Sequence, residues 1–352
     1  MVDVHIRASR EYDVTIGAAL LDGAGERIRA LCSPAAAAIV CGDNVWPLYG
    51  EYLVRSLERA GIRACVRVIP HGERHKNIDT FADLLSFFAQ NGIGRGDVVV
   101  ALGGGVTLDL AGFAAACYMR GVALVHMPTT LLAAVDAAVG GKTAIDLPEG
   151  KNLAGCFYQP TAVLCDTDTL STLPEREYRC GCAEVIKYAV LFDAELFDFI
   201  EKNEISGAYG RVITRCVELK RDTVELDEFD RGERQLLNLG HSIGHAIERC
   251  SGYAVPHGKA VAAGMAMIAR AAAARGICPQ GDCDRIISLL RRCALPTGTD
   301  FGAEELAAAM CADKKRQGET LRLVVPQRIG KCAVTCVPTA DIRGWLTDGG
   351  AR

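Results

Sequence analysis

Short apolar runs alternate with amphipathic stretches through the first half of the chain. Ala37–Cys41, Cys65–Ile69, Val98–Leu102, Val122–His126 and Ala162–Cys165 are almost continuous in Val, Ile, Leu, Ala and Cys. Such runs predict strands buried on both faces. Between them, Val45–Ala60 and Thr80–Asn91 repeat their apolar positions with helical spacing. Strands alternating with helices predict a parallel sheet with crossover helices. Past about Pro174 the texture changes. Ala183–Ile200, Tyr209–Asp227 and His257–Arg275 read as helices, and only Leu321–Pro326 suggests a short strand. The expectation is an α/β protein with a parallel-sheet domain over residues 1–174 and an all-α domain over residues 175–352.

Composition narrows the class. A chain of 352 residues, half of them apolar and 23% charged, has material for two packed domains and is ordinary for a globular enzyme. The net charge of -4 is spread among interspersed acids and bases, which excludes the basic footprint of a nucleic-acid binder. The apolar run Ala260–Ala269 stops at Arg270, too short to span a bilayer, and predicts a buried helix. The residues after Met1 carry neither a basic region nor an apolar export core, so a cytoplasmic location is expected. Sixteen cysteines without paired Cys-x-x-Cys spacing read as small, reduced core residues.

Chemistry first shows at Val98–Asp109, an apolar strand that runs into Gly103-Gly104-Gly105 and then a helical pattern. Glycines let a backbone approach phosphate closely, and a helix N-terminus favours negative charge. The loop predicts nucleotide or phosphate binding in a Rossmann-like domain, although it is not the G-x-G-x-x-G pattern and does not identify the cofactor. Pro70–Lys76 and Met127–Leu132 each follow a predicted strand, where open α/β sheets bind ligands. Glu73, Lys76, Thr129 and Thr130 are candidates there, with loop or capping roles as the ordinary reading.

The sharpest local pattern lies in the second half. Arg234, Asn238, His241 and His245 recur at helical spacing and are expected to share one face. Burying such a set without partners would cost roughly 1–3 kcal/mol per group, so a metal or an anion is the natural companion. His257 opens the next predicted helix, and Glu184 lies one turn before Lys187. A carboxylate, two imidazoles and an open position describe a catalytic zinc site. The plain alternative for Glu184 and Lys187 is a solvated ion pair. Lys142, Lys151, Lys220, Arg234, Lys314 and Lys315 add positive charge that suits a polyanionic substrate.

Several segments together resemble the 3-dehydroquinate synthase family of sugar-phosphate cyclases. They are Gly103–Val106, Met127–Leu132, Val135–Thr143, Gly150–Asn152, Phe157–Pro160, Ala183–Tyr188 and Leu237–Ala246, in the family's order and spacing. The resemblance runs from about residue 39 to Asp313-Lys314-Lys315. It implies a divalent metal, zinc or cobalt, on Glu184, His241 and His257. It implies NAD contacts from Asn44, Glu73, Lys76, Gly104, Gly105, Val106, Asp109, Thr129, Thr130, Leu132, Lys151, Thr172, Leu173 and Glu177. Lys220 and Arg234 resemble a pair for the substrate carboxylate. Lys142, Asn152, Asn238, His245 and one of Lys314 and Lys315 resemble phosphate ligands, and Asp136 and Lys187 match further active-site positions. Arg120 resembles an arginine that reaches a neighbouring subunit's phosphate, which implies a homodimer.

The implied activity is a lyase of the shikimate pathway, and so of chorismate and aromatic amino acid biosynthesis. It converts 3-deoxy-D-arabino-heptulosonate 7-phosphate to 3-dehydroquinate and phosphate. Other sugar-phosphate cyclases, whose substrates lack the carboxylate, are one alternative, and a metal-dependent polyol dehydrogenase resembling glycerol dehydrogenase is another. Retention of both Lys220 and Arg234 favours the carboxylated substrate. The chain departs from the family at Leu108, where glycine is usual, at Gly42, where Asp or Asn is common, and at Asp230, where Glu is expected. The first two predict weakened NAD contacts.

Overall fold

The computed structural model describes residues 1–311 and 319–352. The chain divides into two units, residues 1–174 with 209–229 and residues 175–208 with 230–352. The first is built on a seven-stranded sheet of β1 (Val2–Ile6), β2 (Tyr12–Gly17), β3 (Ala36–Gly42), β4 (Arg63–Ile69), β5 (Val98–Gly103), β6 (Ala123–Pro128) and β9 (Ala162–Asp166). Their spatial order is β1-β2-β9-β6-β5-β3-β4, with β1 antiparallel to β2 and every other pairing parallel. β3 and β5 are buried at every residue, as their unbroken apolar runs predict. Helices α1 (Ala24–Cys32), α2 (Glu51–Arg59), α3 (Ile78–Gln90) and α4 (Gly105–Cys117) connect the parallel strands, and Ile28, Leu53, Leu57, Ile39 and Val100 join one apolar core. A separate antiparallel hairpin, β7 (Lys142–Leu147) with β8 (Gly150–Phe157), packs against α4.

Three features depart from the sequence pattern. The helix expected over Val45–Ala60 begins as a wide turn at Trp46–Gly50, with Pro47 in its first turn, and becomes regular only at Glu51. The helix expected over Ala183–Ile200 is two helices, α5 (Glu175–Phe192) and α6 (Ala194–Lys202). Asp193 divides them, its side chain accepting the Leu196 amide at 2.9 Å as a cap. Finally α7 (Tyr209–Leu226), which follows the division expected at residue 174, packs against β1 and β2 in the first unit.

The second unit contains α5, α6, α8 (His241–Cys250), α9 (His257–Ala274), α10 (Gln280–Arg292), α11 (Ala303–Cys311) and α12 (Ile342–Asp348). It is not wholly helical. β10 (Thr320–Arg328) and β11 (Lys331–Pro338) form an antiparallel hairpin against α5 and α9, of which the sequence pattern suggested only the first strand. α9 is buried along most of its length, in keeping with its Ala-rich sequence. Glycines allow the close helix contacts. A β-carbon at Gly258 would lie 2.5 Å from the Cys180 backbone of α5, and one at Gly244 would lie 3.1 Å from the Ala260 carbonyl oxygen. Gly240 has φ +77°, and a β-carbon there would lie 2.6 Å from the Val261 carbonyl oxygen. All sixteen cysteines are free.

Candidate active site

In the first unit, the chain leaves β5 at Gly103, passes through the extended Gly104 and enters α4 at Gly105. The first intrahelical bond runs from the Leu108 amide to the Gly104 carbonyl at 3.1 Å, so the Gly105, Val106 and Thr107 amides precede the helical ladder. The Thr129 amide donates to the Gly103 carbonyl at 2.9 Å and ties the end of β6 to the loop. A β-carbon at Gly104 would lie 3.1 Å from Thr130 Cγ2, so glycine lets the loop pass Thr130 without displacing it. Thr130 Oγ1 in turn accepts the Ala133 amide at 3.1 Å, and Leu132 is half-buried in the following turn. A cradle of this chemistry fits a nucleotide phosphate.

Behind the loop stands a polar cluster. Lys76 is only 3% exposed, and its Nζ donates to Asp109 Oδ2 and to Asn152 Oδ1, each at 2.5 Å. Burial opposes the Lys76 charge, but Asp109 and Glu73 outweigh it and raise its pKa above the ordinary lysine value. Lys151 pairs with Glu73 at 3.7 Å. Asn152, expected among the phosphate ligands, thus groups here with the expected cofactor residues, at a φ of +55°. Thr172 is bonded to the Tyr49 hydroxyl, Leu173 follows it, and Asn44 is exposed just beyond β3. Lys220 donates to the Asp136 carbonyl at 2.6 Å and to its carboxylate, while Lys142 is exposed at the start of β7. Arg120 is exposed with φ +69°.

The two departures near this loop bear differently on the cofactor. Leu108 is fully buried, so its side chain belongs to the core and does not stand at the open end of the cradle. At Gly42 a β-carbon would lie 2.7 Å from Asn44 Oδ1, so the Asn44 amide occupies the space that a side chain at position 42 would enter.

In the second unit, Glu184 on α5, His241 at the start of α8 and His257 at the start of α9 bring ligand atoms within 4.8 Å of one another. Glu184 Oε1 lies 3.8 Å from His241 Nε2 and 3.5 Å from His257 Nε2. Glu184 and Lys187 are each 1% exposed, with Lys187 Nζ 2.6 Å from Glu184 Oε2, so this pair is buried rather than solvated. His241 Nδ1 lies 3.1 Å from the Leu239 carbonyl, an acceptor that places the proton on Nδ1 and the lone pair on Nε2. Burial, aided by Lys187, holds the His241 pKa down at about 3 and keeps the ring neutral. Burial opposes charge on His257 too, but Glu184 and Glu248 prevail and raise its pKa to about 9. A divalent cation satisfies this set of one carboxylate and two imidazoles. The donors fit it.

A cleft beside these ligands is lined by Gln235, Asn238, His241, Ser242, His245 and Arg322, among others. The expected single helical face is corrected here. Arg234 and Asn238 lie on a 3₁₀ turn, Glu233–Asn238, and Gly240 breaks the chain before α8 begins, so only His241 and His245 share a helix. Arg234 is 1% exposed, and Glu177 is exposed in the first turn of α5. Lys314 and Lys315 lie outside the described residues. Two groups escaped the sequence reading. Arg322, on β10, donates to Gln235 Oε1 at 2.9 Å, and a lone arginine in a short predicted strand carried no signal of that contact. Glu248 lies three residues after His245, a helical interval that could have been followed one step further.

The 3-dehydroquinate synthase N-terminal family matches residues 66–180, and the 3-dehydroquinate synthase C-terminal family matches residues 181–316. A 3-dehydroquinate synthase of Caulobacter vibrioides is 45% identical over 358 residues, covering 97% of each chain. Among solved structures, 2-deoxy-scyllo-inosose synthase complexed with carbaglucose-6-phosphate, NAD+ and Co2+ matches with a TM-score of 0.88 at 26% identity. That match covers 99% of this chain and 100% of the other. The 2-epi-5-epi-valiolone synthase of Streptomyces hygroscopicus subsp. jinggangensis 5008, with NAD+ and Zn2+ bound, matches with a TM-score of 0.88 at 28% identity over 98% of each chain.

Proposed function

The chain belongs to the 3-dehydroquinate synthase family, and from that premise we propose that it converts 3-deoxy-D-arabino-heptulosonate 7-phosphate to 3-dehydroquinate and phosphate. It is an NAD- and metal-dependent, phosphate-eliminating lyase of the shikimate pathway. The observation that carries this reading is the convergence of Glu184, His241 and His257 in a chain matched by the family over residues 66–316. Identity of 45% to a dehydroquinate synthase, against 26% and 28% to the two other cyclases, favours the carboxylated substrate.

The chemistry that bound NAD would supply is reversible hydride transfer at a ring carbon, and a divalent metal would supply Lewis-acid polarisation of a substrate oxygen. The chain's own residues hold and orient these partners. Glu184 and the two Nε2 atoms of His241 and His257 are the proposed metal donors. The amides at the start of α4 and the Lys76–Asp109 pair are assigned to the nucleotide, together with Glu73, Thr129, Thr130, Leu132, Lys151 and Asn44, while Asn152, bonded to Lys76, is assigned to the substrate phosphate. Thr172, Leu173 and Glu177 complete the nucleotide assignment. Lys142, Lys220, Arg234, Asn238 and His245 are assigned to the anionic groups of the substrate, where fixed donors position it for phosphate loss without solvent reorganisation. Asp136 holds the Lys220 ammonium through two contacts and so fixes its direction. Lys187, beside Glu184, sets the local charge at the metal donors.

A homodimer is part of the proposal, supported by the exposed Arg120. A cytoplasmic location is supported by the sixteen free cysteines, since oxidising compartments favour disulfides. Among the described residues, no helix is long and apolar enough to cross a membrane. Substrate preference tests the activity. Phosphate release is expected from the heptulosonate phosphate at a kcat/KM at least about 10²-fold above that for glucose 6-phosphate, because glucose 6-phosphate lacks the carboxylate assigned to Lys220 and Arg234. Equal or greater turnover of glucose 6-phosphate would reassign the chain to a cyclase of uncarboxylated sugars.

A further inference from the structure

The side chain that the preceding roles leave unused is Glu248. It is 1% exposed on α8, and burying a carboxylate demands a charged or hydrogen-bonding partner. Its Oε2 lies 3.3 Å from His257 Nδ1, on the far side of the ring from the Glu184 contact at His257 Nε2. The backbone at Glu248 is tied down as well. The Glu248 carbonyl accepts the Tyr253 amide at 2.7 Å and the Ser251 hydroxyl at 2.8 Å, which closes the end of α8 around it.

Glu248 also belongs to a second cluster of donor atoms, with His245 and His257, that lies within 4.8 Å of one another. The two clusters share His257, and a neutral imidazole has one lone-pair nitrogen and one N–H. A metal on the Glu184 side takes the Nε2 lone pair and leaves the proton on Nδ1, where Glu248 accepts it. A metal on the Glu248 side would need the Nδ1 lone pair and would turn an N–H toward Glu184. Filling both at once would require a bridging imidazolate, the ring stripped of its one N–H. His241 resolves the choice, because its own Nδ1 is held by the Leu239 carbonyl and its Nε2 faces Glu184. Both imidazoles thus present Nε2 to the same carboxylate, and each has an acceptor behind Nδ1.

We infer that Glu248 is a positioning residue that fixes the tautomer and ring direction of His257, so that Nε2 is presented to a divalent cation alongside Glu184 and His241. The inference rests on the metal assignment made above. An acceptor behind a ligating histidine raises the ring's donor strength and holds its orientation, and its removal typically costs about 10–100-fold in metal affinity. Glu248 is seven residues after His241, so one face of α8 supplies both a metal donor and the group that aims its neighbour.

The test is zinc binding to the purified full chain by competition with a chromophoric chelator at fixed pH, for the wild type, Glu248→Gln and Glu248→Ala. The cobalt form is followed by its visible absorption. One metal per chain is expected in the wild type, with a Kd about 10-fold weaker in Glu248→Gln and up to about 100-fold weaker in Glu248→Ala. The cobalt bands should shift, because the ring of His257 is no longer held, a change that a loss of stability alone does not produce. Glu248→Gln keeps the shape of the side chain and decides the question if the alanine variant fails to fold. Wild-type Kd and an unshifted cobalt spectrum in a folded variant overturn the proposal. So does uptake of two metals, one of them lost with Glu248, which would make Glu248 a ligand of the second cluster. Failure of the wild type itself to take up metal overturns the metal assignment as well.

Discussion

Replacing His257 with alanine is expected to lower kcat/KM for phosphate release by about 10³-fold or more, with the protein still folded. The imidazole is one of only three donors in its cluster, and its Nε2 is 3.5 Å from Glu184. Its loss leaves the buried carboxylates of Glu184 and Glu248 on either side of the space that the ring filled, without the donor that their charge attracts. Charge developing on the substrate oxygen is then left without its main electrostatic partner, a term worth about 10²–10³-fold even for a single neutral donor. Steady-state phosphate release measured beside circular dichroism separates lost chemistry from lost fold. Activity within about 10-fold of wild type in the folded variant would remove His257 from the metal set.

A change of one methyl group should also reach the metal donors. Gly258→Ala places a β-carbon 2.5 Å from the backbone of Cys180, an atom that no side-chain rotation can move aside. Alanine gains roughly 1 kcal/mol of intrinsic helix propensity over glycine, but overpacking costs about 1–3 kcal/mol and more against rigid backbone. The first helical turn of α9 must therefore move away from α5. His257 is the residue before Gly258, and Glu184 lies one turn beyond Cys180, so the separation is transmitted directly to two metal donors. The expected result is a net loss of about 1–2 kcal/mol in unfolding free energy together with a metal Kd weakened by roughly 10-fold or more. Denaturant unfolding of metal-free protein and chelator competition read the two effects separately. Unchanged metal affinity would show that helix spacing does not control the donor set.

The contrast between these two sites explains what was legible in the sequence. His241, His245 and His257 stand out because imidazoles clustered at helical spacing beside apolar residues call for chemical partners, and Gly103–Gly105 stands out because consecutive glycines exceed what a turn requires. The parallel strands were legible for a similar reason, since β3 and β5 are buried on both faces and their apolar runs leave little room for another reading. Family resemblance supplied the many residues whose local pattern is ordinary, such as Thr172 and Glu177.

Elements set by tertiary contact were not legible. β1 and β7–β8 pair antiparallel with mixed polar and apolar residues, and α7 reads as any amphipathic helix until its partners β1 and β2 are known. The 3₁₀ turn at Glu233–Asn238 has helical spacing in sequence, and only the positive φ of Gly240, enforced by contact with Val261, shows that the helix starts at His241. Gly258 and Gly264 sit in an Ala-rich helix, where a glycine carries no local signal of its role. They are close contacts, with Gly258 against the Cys180 backbone and Gly264 against the Gly240 carbonyl. Glu248 was hidden because a lone glutamate late in a helix is usually solvated, whereas this one is 1% exposed and faces His257. The side-chain direction of Leu108 was not legible either. Its place in the glycine loop suggested a defect in cofactor binding, but the first turn of α4 carries it into the core.

The most direct test of the account follows phosphate and NADH together in metal-stripped protein given the heptulosonate phosphate, with NAD and zinc or cobalt restored singly and jointly. The account predicts phosphate release only when NAD and a divalent metal are both present, with no net accumulation of NADH over many turnovers. NADH accumulating in step with substrate loss would indicate a polyol dehydrogenase, and full phosphate release without added metal would contradict the role given to Glu184, His241 and His257.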